Sequence, residues 1–205
     1  MRAPVKLFLA SSNRGKLREY RAMNVGRGVE VDLLPQFSSF PQFSEDAPTF
    51  AENAAGKALH YSRLVEEIVF ADDSGLVVPA LGGAPGVRSA RYAGADASDE
   101  QRVAKLLDEM RGKTGDARAA RFICVIAAAR QGRMLMVISR AAEGVIAGAP
   151  CGRTGFGYDP VLYFPPRKRT FAELTEADKN EVSHRGQAFR KLIETLLHVR
   201  STESS

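Results

Sequence analysis

Apolar residues fall in short runs separated by polar loops, and the spacing within each run changes along the chain. Val5 to Ala10 is mostly apolar, ends in Ser11-Ser12-Asn13, and predicts a first strand. From Lys16 to Met23 the apolar positions Leu17, Tyr20 and Met23 take helical spacing. Val29 to Leu34 predicts a second strand, and a polar loop with Pro and Phe follows from Pro35 to Pro48. Thr49-Phe50-Ala51-Glu52 is a capping-box pattern, and the helix it opens would bury Phe50, Ala54, Ala58, Tyr61 and Val65. Asn53 and Lys57 stand four apart on another face, where both can point at one ligand. Ile68 to Ala71 predicts a buried strand that runs into Asp72-Asp73 and then a Ser74-Gly75 turn.

Ser98 and Gln101 repeat the capping pattern and start a helix to about Met110. Phe122 to Ala129 and Met134 to Ser139 are apolar runs joined by Arg130-Gln131-Gly132-Arg133, the layout of a hairpin, and Val161 to Phe164 predicts another strand. Phe189, Leu192, Ile193, Leu196 and Leu197 form the core stripe of a final helix, with residues 201–205 expected as a disordered tail. Neither an internal repeat nor a separating linker interrupts this series, so residues 1–200 read as a single α/β domain.

Composition narrows the field. The 205 residues are 44% hydrophobic and 26% charged, ordinary for a globular protein with ample core. No apolar run approaches the roughly 20 residues that span a bilayer. MRAPVKLFLASSN turns polar too soon for a signal peptide, so no membrane association is expected. Cys124, inside an apolar run, and Cys151 are the only cysteines, which argues against a disulfide framework and for the cytoplasm. A net charge of +5 favours anionic partners. The basic residues are dispersed, however, and zinc-finger or RNA-binding motifs are lacking, so a small anion is expected rather than nucleic acid.

Four clusters could carry chemistry. Asp72 and Asp73 are either solvated turn residues or oxygen ligands for a hard cation such as Mg2+, which needs few carboxylates when phosphates and water complete its shell. The Gly82-Gly83-Ala84-Pro85-Gly86 loop nearby permits close backbone approach. Ser11-Ser12-Asn13-Arg14-Gly15-Lys16 is laid out as strand, polar loop and helix. It is a phosphate cradle or a capped helix with a surface lysine, and its glycine spacing is not that of a Walker A loop. Gly155-Phe156-Gly157-Tyr158-Asp159-Pro160 either exposes the Phe156 ring for stacking on a base or forms a tight turn around a buried Phe. Lys179 to Gly186 gathers an ammonium, an imidazole and a guanidinium before the last helix. There His184 and Arg185 could donate to a 6-oxopurine, or simply form a charged helix start.

Taken in order, SSNRGK, TFAENAAGKA, ADDSGL with LGGAPGVRSARYAG, GFGYDP, FAEL and NEVSHRGQA resemble the non-canonical purine NTP pyrophosphatases, the family of inosine triphosphate pyrophosphatase. The blocks run from residue 7 to about 190. The resemblance implies an elongated, two-lobed α/β domain around a central curved mixed sheet flanked by helices, forming a homodimer. It also implies Mg2+-dependent hydrolysis of dITP, ITP and XTP to the monophosphate and pyrophosphate. By matching position, Asp73 resembles the catalytic acid/base; Glu45, Asp72 and Asp73 the metal site; and Ser11 to Lys16, Lys57 and Ser74 the triphosphate contacts. Phe156, Gly157, Tyr158, Asp159, Lys179, His184 and Arg185 resemble the nucleoside pocket.

The chain departs from the pattern at Ala47-Pro48, where a glycine-containing segment is usual, at Val78-Pro79-Ala80, which lacks acids, and at Arg88, where an aromatic is frequent. Two other classes compete with this reading. A Maf-like nucleotide pyrophosphatase is disfavoured by the Ser-His-Arg-Gly and Gly-Phe-Gly-Tyr-Asp-Pro blocks. A non-catalytic nucleotide- or nucleic-acid-binding module is disfavoured by Asp72, Asp73 and Lys16 and by the dispersed charge.

Overall fold

The computed structural model describes residues 4–24 and 28–202. Its elements are β1 (Val5–Leu9), α1 (Arg14–Met23), β2 (Val29–Leu33), α2 (Phe50–Ser62), β3 (Ile68–Val77), α3 (Asp99–Glu109), β4 (Ala119–Arg130), β5 (Arg133–Ile146), β6 (Leu162–Phe164), β7 (Arg169–Thr170), α4 (Glu176–Val182) and α5 (His184–Thr202). The strands form one mixed sheet in the order β2-β1-β3-β4-β5-β6-β7. β1 runs parallel to both β2 and β3, pairings that require crossover connections such as those through α1 and α2, while β6 is antiparallel to β5 and β7. A mixed open sheet with flanking helices is the α/β architecture expected.

The chain divides into two compact units. The first holds residues 1–73, 124–140 and 185–205, and the second 74–123 and 141–184. Each has its own apolar core. In the first, Leu7 and Leu9 of β1 meet Leu17, Tyr20 and Met23 of α1 and Phe189, Leu192, Ile193 and Leu196 of α5. Tyr20 packs edge-on to Phe70 with centroids 5.1 Å apart. In the second, Leu76, Val103, Leu106, Met110, Phe122, Leu162 and Phe171 pack together. The stripes read from the sequence on α1 and α5 face inward, and of the α2 stripe Ala54, Ala58 and Tyr61 are buried while Phe50 is half-buried.

Several boundaries differ from the sequence reading: the hairpin strands are longer, β4 starting at Ala119 and β5 running past Ser139 to Ile146. α2 stops at Ser62, so Val65 lies beyond it. β3 does not end at Ala71: it continues through both aspartates and through Ser74-Gly75 to Val77. Leu76 N donates to Ser89 Oγ at 2.9 Å, which ties this extension to the chain after the glycine-rich loop. At the C-terminus, Ser201 and Thr202 are helical; residues 203–205, the rest of the expected tail, lie outside the described residues.

Candidate active site

The first cluster belongs to the first unit. β1 is followed by a loop whose Ser11 Oγ accepts a hydrogen bond from Asn13 N at 3.1 Å. Asn13 caps α1, its side chain accepting from Lys16 N at 3.0 Å. The first turn of α1 carries no acid, so the partial positive charge of the helix start is not cancelled there. Ser12, Asn13 and Arg14 are exposed, and Gly15 and Lys16 are half-buried. The segment is a capped helix start, and capping uses Lys16 N while leaving its ammonium for other contacts.

Because β3 continues as a strand, its successive side chains point to opposite faces. The shared turn expected for Asp72 and Asp73 is therefore absent, and the two acids have different surroundings. Asp72 is fully buried, with Lys16 Nζ 2.9 Å and Arg185 Nε 3.5 Å from its Oδ2. Burial pushes its carboxyl up, but the two cations outweigh that and hold it below the usual carboxylate range. Arg185 in turn donates through Nη1 to Glu19 Oε2 at 2.6 Å. Asp73 is half-buried and accepts from Asn53 Nδ2 at 2.9 Å. Its carboxyl is pushed up to about 6, mainly by burial, with the Asn53 hydrogen bond and Lys16 opposing and Glu45 and Asp72 adding to the rise.

Helix α2 brings in the rest. The side chains of Asn53 and Lys57, on one face as their spacing predicts, are both buried. Besides Asp73, the Asn53 amide accepts from Ala47 N at 2.9 Å, and Lys57 is paired with Glu45. The loop carrying Glu45 is seated on α2 by aromatic contacts. Phe43 N donates to Tyr61 Oη at 3.2 Å, His60 Nε2 donates to Pro41 O at 2.8 Å, and the Phe43 ring lies over Gly56. A Cβ at Gly56 would stand 2.5 Å from the Phe43 ring, so this close approach needs glycine.

The second cluster belongs to the second unit. Phe156 N donates to Asp159 Oδ2 at 2.9 Å, and Lys179 Nζ donates to the same oxygen at 2.6 Å. That ammonium also stands 4.9 Å from the centroid of the half-buried Phe156 ring, in cation–π contact. Gly157 N donates to Asp99 Oδ2 at 2.7 Å. Tyr158 is buried, and its hydroxyl donates to Ser89 O at 3.0 Å. His184 is buried with its ring stacked on Phe122, centroids 4.8 Å apart. Ser74, in the same unit, is half-buried on β3.

The residues expected at the site thus fall in both units, and direct contacts join Lys16, Asp72 and Arg185, Lys57 and Glu45, and Phe156, Asp159 and Lys179. Ser11 to Lys16, Glu45, Lys57, Asp72, Asp73 and Arg185 lie in the first unit. Ser74, Phe156 to Asp159, Lys179 and His184 lie in the second. Sequence reasoning missed Glu19, Asp99, Ser89 and the Phe43–Gly56 contact. Asp99 had one visible signal, its place in the first turn of a capped helix, and that reads only as a favourable helix charge.

In the first unit, Glu19, Glu45, Asp72 and Asp73 face Lys16, Lys57 and Arg185, so carboxylates are in excess when all are ionised. Asp73 and Glu45 lie close enough for one to raise the proton affinity of the other. Two hard oxygen donors with surplus negative charge fit a divalent cation that also takes phosphate and water. Among the described residues no three acidic, His or Cys side chains form a metal cage by themselves.

Comparison with known proteins gives a consistent result. The family model described as Ham1 family matches residues 7–195. A dITP/XTP pyrophosphatase of Geobacillus kaustophilus is 50% identical over 189 residues, covering 92% of this chain and 93% of that protein. The solved structure of a HAM1 protein from Coxiella burnetii superposes with a TM-score of 0.84 at 40% identity, covering 95% of this chain and 99% of that one. The Staphylococcus aureus Ham1 protein gives 0.83 at 35% identity, over 94% and 98%.

Proposed function

The chain belongs to the Ham1 family, and from that premise we infer that it hydrolyses dITP, ITP and XTP at the α-phosphate, releasing the nucleoside monophosphate and pyrophosphate. The observation that carries this reading is the half-buried Asp73 of β3, held by Asn53 beside Glu45 and two lysines. Such a group has the acids to hold a metal-bound triphosphate and the cations to balance it.

Glu45 and Asp73 are the residues that would hold Mg2+, whose bound charge neutralises phosphate oxygens and polarises the phosphorus. Asp72, turned to the other face of the strand, acts through the cations it fixes, Lys16 and Arg185. Asp73 orients the attacking water and takes its proton. Lys16, Lys57 and the amides at the start of α1, in the segment Ser11 to Lys16, meet the negative charge of the phosphates and of the departing pyrophosphate, with Ser74 as a further contact. Much of the acceleration then comes from placement and charge rather than from basicity.

For the nucleoside, the Phe156 ring stacks on the purine, and Gly157 and Tyr158 shape its seat. Lys179 and Asp159 fix the ring's edge. His184 donates to O6, and Arg185, oriented by Glu19, is the second donor. An adenine amino group at that position is itself a donor and cannot accept from either residue, which is the chemical basis of rejection. The enzyme acts on free nucleotides, which suits its dispersed positive charge, and works in the cytoplasm as a homodimer.

Pyrophosphate release tests the reading across dITP, ITP, XTP, ATP and GTP, with and without Mg2+. Release from the first three should exceed that from ATP and GTP by about 10²-fold or more and should need the divalent ion. Equal hydrolysis of all five would overturn it.

A further inference from the structure

Phe156 sits between two glycines in left-handed backbone conformations, Gly155 at φ +77° and Gly157 at φ +64°. Such a segment has little stiffness of its own, so the direction of its ring must be set from outside. Two carboxylates do this. The amide of Phe156 donates to Asp159, and the next amide, Gly157 N, donates to Asp99 Oδ2 at 2.7 Å. Asp159 is held by Lys179, and Asp99 by Arg102. Arg102 uses Nη1 to bind Ala90 O at 2.6 Å and Ala97 O at 2.8 Å, so the Asp99 carboxylate is anchored to the chain on both sides of the loop leading into α3. Burial pushes the Asp99 carboxyl up, but Arg102 and the Gly157 amide outweigh it and keep it below the usual range. It is therefore a charged acceptor at neutral pH, and hydrogen bonds to charged acceptors are the stronger kind.

We propose that Asp99, held by Arg102, is a positioning residue for the base-stacking ring: by clamping the Gly157 amide it fixes the direction of Phe156. The inference rests on the reading above, in which that ring meets the purine. Asp99 acts through the loop and not on the substrate. Stacking on the base does not change as the α-phosphorus is attacked, so its loss weakens ground and transition states alike, raising KM and leaving kcat in place.

Asp99→Ala should raise KM for ITP about tenfold with kcat within about twofold, and should weaken binding of IMP in calorimetry by a similar factor. Asp99→Asn keeps an acceptor for the Gly157 amide while losing the ion pair, and should recover most of the lost affinity. The proposal falls if Asp99→Ala leaves KM and IMP binding unchanged, if it lowers kcat alone, or if Asp99→Asn behaves like Asp99→Ala. Wild-type protein that releases no pyrophosphate from ITP would overturn the functional reading; an active wild type with an unaffected Asp99→Ala variant would overturn only this inference.

Discussion

The charge cluster of the first unit and the Phe156 loop of the second are both built on carboxylates, yet the carboxylates do different work. In the first, Asp72, Glu19 and Glu45 face the side-chain cations Lys16, Arg185 and Lys57, and Asp73 adds a further acid. In the second, Asp159 and Asp99 spend an oxygen each on a backbone amide, and their cations serve to hold them still. One arrangement manages charge, and the other manages direction. Neutralising an acid in the first should therefore cost turnover or stability, whereas in the second it should cost affinity.

The sharpest break of this contrast is between neighbours. Asp73→Asn preserves an acceptor for Asn53 but removes the charge, and should lower pyrophosphate release by about 10³-fold while ITP still binds. Near-normal turnover would remove Asp73 from the chemistry. Asp72→Asn should instead leave Lys16 and Arg185 facing a neutral, buried amide, destabilising the fold by about 3–5 kcal/mol in denaturant titration. If Asp72→Asn kept full stability, the assigned division of labour across β3 would be wrong.

A smaller effect tests whether the Glu45 loop is held by packing as well as charge. Replacing glycine by alanine inside a helix ordinarily gains about 1 kcal/mol. Gly56→Ala should fail to give this gain, since its Cβ meets Phe43 at 2.5 Å, and should raise the Mg2+ concentration needed for half-maximal activity. Combining it with Phe43→Leu should restore the gain in thermal denaturation. The smallest expected effect concerns the thiols. Cys124, in the first core, is buried and pushed up to about 12 by that burial, whereas Cys151 in the second unit is exposed. One thiol per chain should react quickly with a maleimide in the native protein, and labelling of Cys151 should leave turnover unchanged.

Legibility in the sequence followed the range of the forces involved. Helical stripes such as Leu17-Tyr20-Met23 and Phe189-Leu192-Ile193-Leu196 are local patterns, and they became the core faces of α1 and α5. The Asn53–Lys57 spacing likewise places the two residues on one helix face, while the burial of both side chains is visible only in the fold. What escaped was decided across long separations. The sequence predicts that the strand through Asp72 and Asp73 turns at Ser74-Gly75, because glycine after serine is a local turn signal. In the fold, the chain continues as β3 in the sheet, and Ser89 accepts from Leu76 N. Glu19 gave no sign of its role either, since its partner Arg185 is 166 residues away. Asp99 looked like a helix-start charge, and only the folded chain reveals that Gly157 lies on it.

The seating of Phe43 on Gly56 has a practical consequence for anyone recombining this chain with its relatives. A ring from one segment occupies the space that a side chain on another would fill, so the two positions form a single inherited unit. A chimera that imports an α2 bearing any larger residue at position 56, while keeping the native 35–48 segment, would unseat the stretch that carries Glu45. Crossover points placed before residue 35 and after Ser62 would transfer lock and key together.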